Sequence, residues 1–408
     1  MKVLIIGHQW PEPNSSAAGS RMLQLIQVFL EAGWNCHFAC AARSSEYAAD
    51  LKRIGVETHD IELNQSSFDH FIEQLKPDMV LFDRFMVEEQ FGWRVARVCP
   101  NALRILDSED LHFLRYAREE AVKKSMDLES LDLHTDRAIR EIAAIYRCDM
   151  TLIISNYEIA LLRDDFGIAE RQLMYVPFMV EPKDKKAITL LPSFEDRAEF
   201  VSIGNFLHAP NRDAVLFLKQ EIWPLIRATL PKAEMHIYGA YTDESARQLH
   251  NEKMGFLIKG RAEDANKVIA QSRVMLAPLR FGAGLKGKLI EAMQAGTPSV
   301  TTSVGAEAMF SGASWCGSIQ NEPQQFAQQA TELYGDEGKW TQAQQRGFKI
   351  ISAEFDRERF RGVIIDRLND LRLNIAAYRR KNFIGAMLQH HSMRSTEFMS
   401  RWIELKNR

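Results

Sequence analysis

Along the chain, hydrophobic residues gather in short runs, and between the runs apolar positions recur every three or four residues. The runs Val3–Ile6, Trp34–Cys40, Val56–Ile61, Met79–Phe82, Leu103–Leu106 and Thr151–Ile154 predict strands. Ser20–Ala32 predicts a helix, with Met22, Leu25, Ile26 and Phe29 on one face. The mixed polar and apolar stretch 113–147 stands between the fifth and sixth runs. Short strands alternating with helices predict a parallel sheet covered on both faces. Residues 181–198, EPKDKKAITLLPSFEDRA, break this rhythm with prolines and charges and predict a linker. The pattern then restarts. Phe200–Ile203, Glu234–Tyr238, Phe256–Ile258, Val274–Ala277 and Ser299–Thr301 predict strands, with a helix from 211 to about Leu230. From 322 to 375 the chain reads as nearly all helix. The expected organisation is an α/β domain over 1–182, a linker over 183–198, a second α/β domain over 199–354, and C-terminal helices with a basic tail over 355–408.

Length supports two domains, since 408 residues exceed one ordinary core. Hydrophobic residues at 46% and charged residues at 26% describe a soluble globular chain, and a net charge of −3 gives no argument for nucleic-acid binding. The five cysteines are scattered without zinc spacing, which predicts a reduced, cytoplasmic protein. The apolar start is too short for a signal peptide, and no run of about 18 apolar residues predicts a membrane span.

Paired α/β domains bind ligands between them, beyond the carboxyl ends of their strands. The stretch FGAGLKGKLIEAMQAGTPSV (281–300) lies at such a place. Its helix is expected to begin near Gly284, where free N–H groups and the helix dipole favour a phosphate and glycine permits close approach. On that helix Gly284, Lys288 and Glu291 form one stripe beside the apolar Leu285, Leu289, Ala292 and Met293, while Lys286 points away. Amides and a lysine for a pyrophosphate, then a carboxylate for ribose hydroxyls, match a nucleoside diphosphate. A surface i,i+3 ion pair fits the same spacing.

The segment PLRFGAGLKGKLIEAMQAGTPSVTTSVGAEAM (278–309) resembles the donor-site signature of glycosyltransferase family 4 (group 1), retaining enzymes of the GT-B fold. SIGNFLHAPNRDAVLFLKQEIWPLIRATLPKAEMHIYGA (202–240) is similar to the strand–loop–helix–strand that opens the family's C-terminal domain. The resemblance implies two Rossmann-like α/β domains facing each other across a cleft, with C-terminal helices crossing back. It implies sugar transfer from a nucleotide sugar with retention and no required metal or cofactor. Glu291 matches the family's ribose-binding glutamate, Lys288 a basic position near the diphosphate, and Gly282 and Gly284 the glycines under the donor, with Leu285 following. Ala283 stands where many members carry the first glutamate of an E-x7-E pair. The sugar contact of that glutamate is then expected from elsewhere, such as backbone amides.

Other candidates follow strands. The loop 7–22, GHQWPEPNSSAAGSRM, lacks dinucleotide-fingerprint spacing. The resemblance turns it towards acceptor and phosphates, centred on Gly19, Ser20 and Arg21, and an ordinary strand-to-helix connection is the other reading. In LDSEDLHFLRYAREE (106–120), the resemblance implies that His112 contacts the transferred sugar, with Asp110 beside it. Asn211 and Arg212, near His208, are candidates for the diphosphate, as is Arg280. Gly260 and Arg261, after Lys259, are candidates for the nucleobase.

The tail 372–408 has eight Lys and Arg against two Glu, interleaved with Phe383, Met387, Phe398, Met399 and Trp402. It reads either as a peripheral contact with anionic lipid or a lipid-linked acceptor, or as a helix packed on the first domain. The expected function is transfer of a sugar, hexosyl in type, to a glycan or lipid-linked acceptor, with surface-polysaccharide or lipopolysaccharide assembly as its setting. Rival readings are a nucleotide-sugar 2-epimerase of the same fold and a catalytically silent nucleotide-sugar-binding protein.

Overall fold

The computed structural model describes residues 1–312 and 314–407. Arg408, one of the basic residues of the tail, lies outside the described residues. Two parallel sheets organise the chain. The first has seven strands: β1 (Lys2–Gly7), β2 (Asn35–Cys40), β3 (Glu57–Asp60), β4 (Met79–Asp83), β5 (Leu103–Asp107), β6 (Met150–Ile153) and β7 (Leu173–Tyr175), in the order β3-β2-β1-β4-β5-β6-β7. The second has six: β8 (Ala198–Ile203), β9 (Met235–Tyr238), β10 (Phe256–Gly260), β11 (Ser272–Ala277), β12 (Ser299–Thr301) and β13 (Gly317–Ile319), in the order β10-β9-β8-β11-β12-β13. Val3, Leu4, Ile5 and Ile6 are fully buried, as a central parallel strand with helices on both faces requires.

Strand order reverses between β1 and β4 and between β8 and β11. At these switch points neighbouring loops diverge and leave a crevice. The two crevices face each other. The chain returns to the first domain through a parallel bridge between Val180 and Asp356, after which the helix Arg357–Leu373 buries Ile364, Leu368 and Leu371 in the first core.

Several boundaries differ from expectation. The first helix begins at Ala17, because the Ser16 hydroxyl caps it by accepting the Gly19 N–H at 3.1 Å. The stretch 113–147 is two helices, His112–Lys123 and Asp136–Arg147. The strands β7 and β13, three residues each, lacked a pattern long enough to read. Residues 181–198 hold a short helix, Lys185–Thr189, capped by Asp184.

Candidate functional site: an inter-domain cleft

Loops following β1, β4 and β5 of the first sheet and β8 to β11 of the second enclose a cavity of about 450 Å³. Gly282 and Gly284 adopt φ of 153° and 60°, so neither is helical. The helix therefore starts at Gly287, with Lys286 as its N-cap residue, and not at Gly284. This correction moves Lys286 into the cleft, where the sequence had pointed it away. Its Nζ donates to the carbonyls of Ala283 (3.1 Å) and Gly284 (2.6 Å). Lys288 reaches the same space, and its Nζ donates to Asn211 Oδ1 at 2.7 Å. Burial lowers both lysines to about 8. A Cβ on Gly204 would lie 2.7 Å from the Asn211 amide and 2.8 Å from Lys288 Nζ, so a larger residue there would push against both side chains.

Glu291 lines the cavity three residues beyond Lys288. Burial raises it to about 7, against the opposing pull of Lys288. The two side chains are half-buried and form no salt bridge among the described residues, so the surface-pair reading does not hold. Ala283 and Leu285 also line the cleft.

The loop is gripped by the first domain. Glu158 Oε1 accepts N–H bonds from Leu111 and Gly284, both at 2.9 Å, and Arg118 donates to the Gly282 carbonyl at 2.8 Å while pairing with Glu307. A Cβ on Gly287 would sit 2.5 Å from Ala17 Cβ. At the other rim, Tyr241 donates its hydroxyl to Glu12 at 2.9 Å, and the Arg261 guanidinium lies 4.4 Å from the Tyr47 ring. The domains are thus closed on each other.

His112 begins its helix and lines the cavity, with Nε2 3.5 Å from Asp110. Burial lowers its pKa to about 3, so its imidazole is neutral at physiological pH. Asp110 is held below the ordinary range: burial opposes ionisation, but Arg115 outweighs it from 2.7 Å. Burial and the neighbouring Asp107 raise Glu109 to about 8. His208, lowered to about 4 chiefly by burial, lines the wall with Asn211 and Arg261.

Other candidates fall elsewhere. Gly19, Ser20 and Arg21 do not line the cavity; Ser15 to Ala18 do. Gly19 is a close-packing point, since a Cβ there would meet the Glu12 backbone at 2.5 Å. Ser20 donates its hydroxyl to the Pro13 carbonyl at 2.9 Å. Arg21 is fully buried, bonded to Asp107 at 2.6 Å and to the Val176 carbonyl. Arg212 turns away to Asp243 at 3.0 Å, and Arg280 to Asp213 at 2.9 Å; each is taken by a nearby carboxylate at the surface. Gly260 closes β10 at φ 75° without reaching the cavity, while Arg261 does.

Sequence reasoning missed Lys286 and Arg84, which both line the cavity, as does Arg115 beside His112. Arg84 directly follows β4 and holds φ at 74°, a backbone cost typical of functional positions. Examining the end of the fourth strand as well would have found it.

Two parallel sheets thus face one cleft, with cations, glycines and a carboxylate gathered at one helix start. Residues 197–336 match the family model described as glycosyl transferases group 1. No curated protein matches the chain. Among solved structures, it is similar to a TarM variant from S. aureus in complex with Fondaparinux, alpha-GlcNAc-glycerol and UDP, at 9% identity and TM-score 0.68, covering 91% of this chain and 99% of that one. It is similar to HepE from Anabaena in complex with UDP and glucose, at 13% identity and TM-score 0.68, covering 90% and 99%. Sucrose-phosphate synthase from Thermosynechococcus elongatus matches at 16% identity and TM-score 0.65, covering 91% and 99%. The fold is GT-B.

Proposed function

We propose that this protein transfers a sugar from a nucleoside-diphosphate donor to a glycan or lipid-linked acceptor. The observation that carries the reading is the sequence of groups along one helix start: Lys286, the N–H groups at Gly287, Lys288 with Asn211, and then Glu291, all facing a closed inter-domain cavity. The group 1 glycosyl transferase match over this segment supports it. Since structural neighbours hold UDP, a UDP-sugar is the first donor to test.

In this reading the pyrophosphate lies against Lys286, Lys288 and the helix amides. These stabilise the negative charge that builds as the glycosidic bond breaks. The neutral His112 meets the sugar, and the backbone around Ala283 takes over the contact a glutamate makes elsewhere. Domain closure excludes water and favours transfer over hydrolysis. We assign the charge neutralisation to the lysines without a metal ion, and we assign retention on the resemblance to family 4.

The test is a thermal-shift screen with UDP, GDP, ADP and TDP and their sugars, followed by product analysis with and without acceptors in EDTA. A ligand at 100 times its Kd stabilises by about 2.7 kcal/mol. Acceptor-dependent release of nucleoside diphosphate is expected, with the new linkage keeping the donor's anomeric form. A donor altered without acceptor would instead establish an epimerase. If no nucleotide shifts the protein, the reading fails.

Nucleotide binding should also take up protons near pH 8. Lys286 and Lys288, at about 8 in the empty cleft, are partly neutral there, and an incoming pyrophosphate favours their charged forms. Their depressed values make the native protein bind fewer protons than the unfolded chain between about 8 and 10.5, so their share of stability rises with pH across that window. Calorimetry in two buffers of different ionisation heat reads the uptake directly; equal heats would contradict it.

A further inference from the structure

The last helix, Phe383–Lys406, shows an unusual number of large apolar side chains to solvent. It packs on the helices Phe85–Val98 and Asp136–Arg147. The face it buries mixes the apolar Met393 with the small or polar Gly385, Ser400 and Glu404. A Cβ on Gly385 would meet the Tyr146 carbonyl at 2.1 Å, Ser400 accepts from Arg94 at 3.0 Å, and Glu404 accepts from the Ser66 hydroxyl at 2.6 Å. The face it shows to solvent is apolar: Phe383, Ile384, Met387, Phe398, Trp402 and Leu405 are all exposed, Phe383 by 71% and Trp402 by 57%. At 100° per residue these six fall within one third of the helix circumference, as two apolar clusters, Phe383, Ile384 and Met387 at one end and Phe398, Trp402 and Leu405 at the other, with the exposed Arg394 on the same arc between them. A soluble surface helix places such residues inward, and a stripe of this extent marks a contact surface.

The charge around the stripe is of one sign. Arg380, Lys381 and Lys406 are exposed beside it, Arg394 is exposed within it, and Arg401 is exposed but pairs with Glu397. The acids of this helix are turned away: Glu404 is buried, and Glu397 pairs with Arg97 and Arg401. Among the described residues no helix is long and apolar enough to cross a membrane, so the stripe is suited to lying in an interface. A large aromatic at the end of an apolar face, with flanking cations, matches the polarity gradient of a headgroup layer.

We propose that the outer face of Phe383–Lys406 docks the protein on an anionic lipid surface, with the apolar stripe entering the acyl boundary and the flanking cations meeting headgroup phosphates. The inference is independent of the donor-site reading.

The test is flotation of the full chain with vesicles of phosphatidylglycerol and phosphatidylcholine, compared with phosphatidylcholine alone. Wild type should float with the anionic vesicles and lose binding as salt rises. Phe398→Ser with Trp402→Ser should weaken partitioning by at least about tenfold, and Arg380→Gln with Arg394→Gln should weaken it on anionic vesicles. Both sites are exposed, so melting curves and the donor-induced thermal shift should match wild type and show an intact fold. The proposal is overturned if wild type stays unbound, or if neither variant changes flotation. It is also overturned if sedimentation shows a lipid-free dimer that the Phe398→Ser, Trp402→Ser variant dissociates, since a second copy would then cover the stripe.

Discussion

Replacing Glu291 with alanine should weaken nucleotide binding by roughly 30- to 1,000-fold, the equivalent of about 2–4 kcal/mol for two hydrogen bonds to a charged acceptor. Glu291 makes no ion pair with Lys288 and lines the cleft, so it is available to ligand. The fold should tolerate the change, since removing a half-buried carboxyl held near 7 by burial removes an unfavourable charge. Sign follows from the same value. The native carboxyl binds its proton more tightly than an unfolded one, so between about 4.5 and 7 its contribution to stability falls as pH rises. Nucleotide affinity moves the other way. Ribose hydroxyls need an ionised acceptor, so affinity should decline as pH drops below about 7. Glu291→Gln should flatten that dependence. Thermal shift and calorimetry against pH measure all three effects; an Ala variant with wild-type affinity would remove Glu291 from the donor site.

The second large effect concerns stability. Arg21→Ala should cost about 3–5 kcal/mol, because it leaves the Asp107 carboxylate buried without its partner. Arg21 and Asp107 are both fully buried, and the guanidinium also ties the Val176 carbonyl to the centre of the first sheet. For a domain of this size the loss corresponds to a melting point lower by about 6–20 °C. Arg21→Leu combined with Asp107→Asn should recover much of it, since no uncompensated charge remains. The protein that stays folded should bind nucleotide normally, because Arg21 does not line the cleft. A small change in melting point for Arg21→Ala would show that water or a neighbouring base compensates Asp107.

Much of the architecture was legible because strands buried on both faces must be continuously apolar. Val3–Ile6 and Val274–Ala277 sit within one residue or two of their observed strands, while β7 and β13 were too short to leave a pattern. The donor helix was legible for a similar reason: glycine, lysine and glutamate at helical spacing carry chemistry whatever surrounds them. Its start was misjudged by three residues because glycine marks both helix starts and left-handed turns. Only backbone angles separate the two, and that shift placed Lys286.

By itself, the sequence determined two parallel α/β units, a phosphate-friendly helix start, and an unusually apolar basic tail. Each of these depends on residues near one another along the chain. Tertiary structure decided which cations are free for a ligand. Arg21, Arg212 and Arg280 follow strands or open helices as convincingly as Lys288, yet each finds a carboxylate in the folded protein. Asp107 lies 86 positions from Arg21, and Asp213 lies 67 from Arg280. Pairing at that separation is set by how the elements pack, and a guanidinium bound to a carboxylate has little charge left to offer. The same holds for the last helix: its composition was visible, but packing alone decided that Gly385, Met393, Ser400 and Glu404 would face the protein and Phe383, Phe398 and Trp402 the solvent.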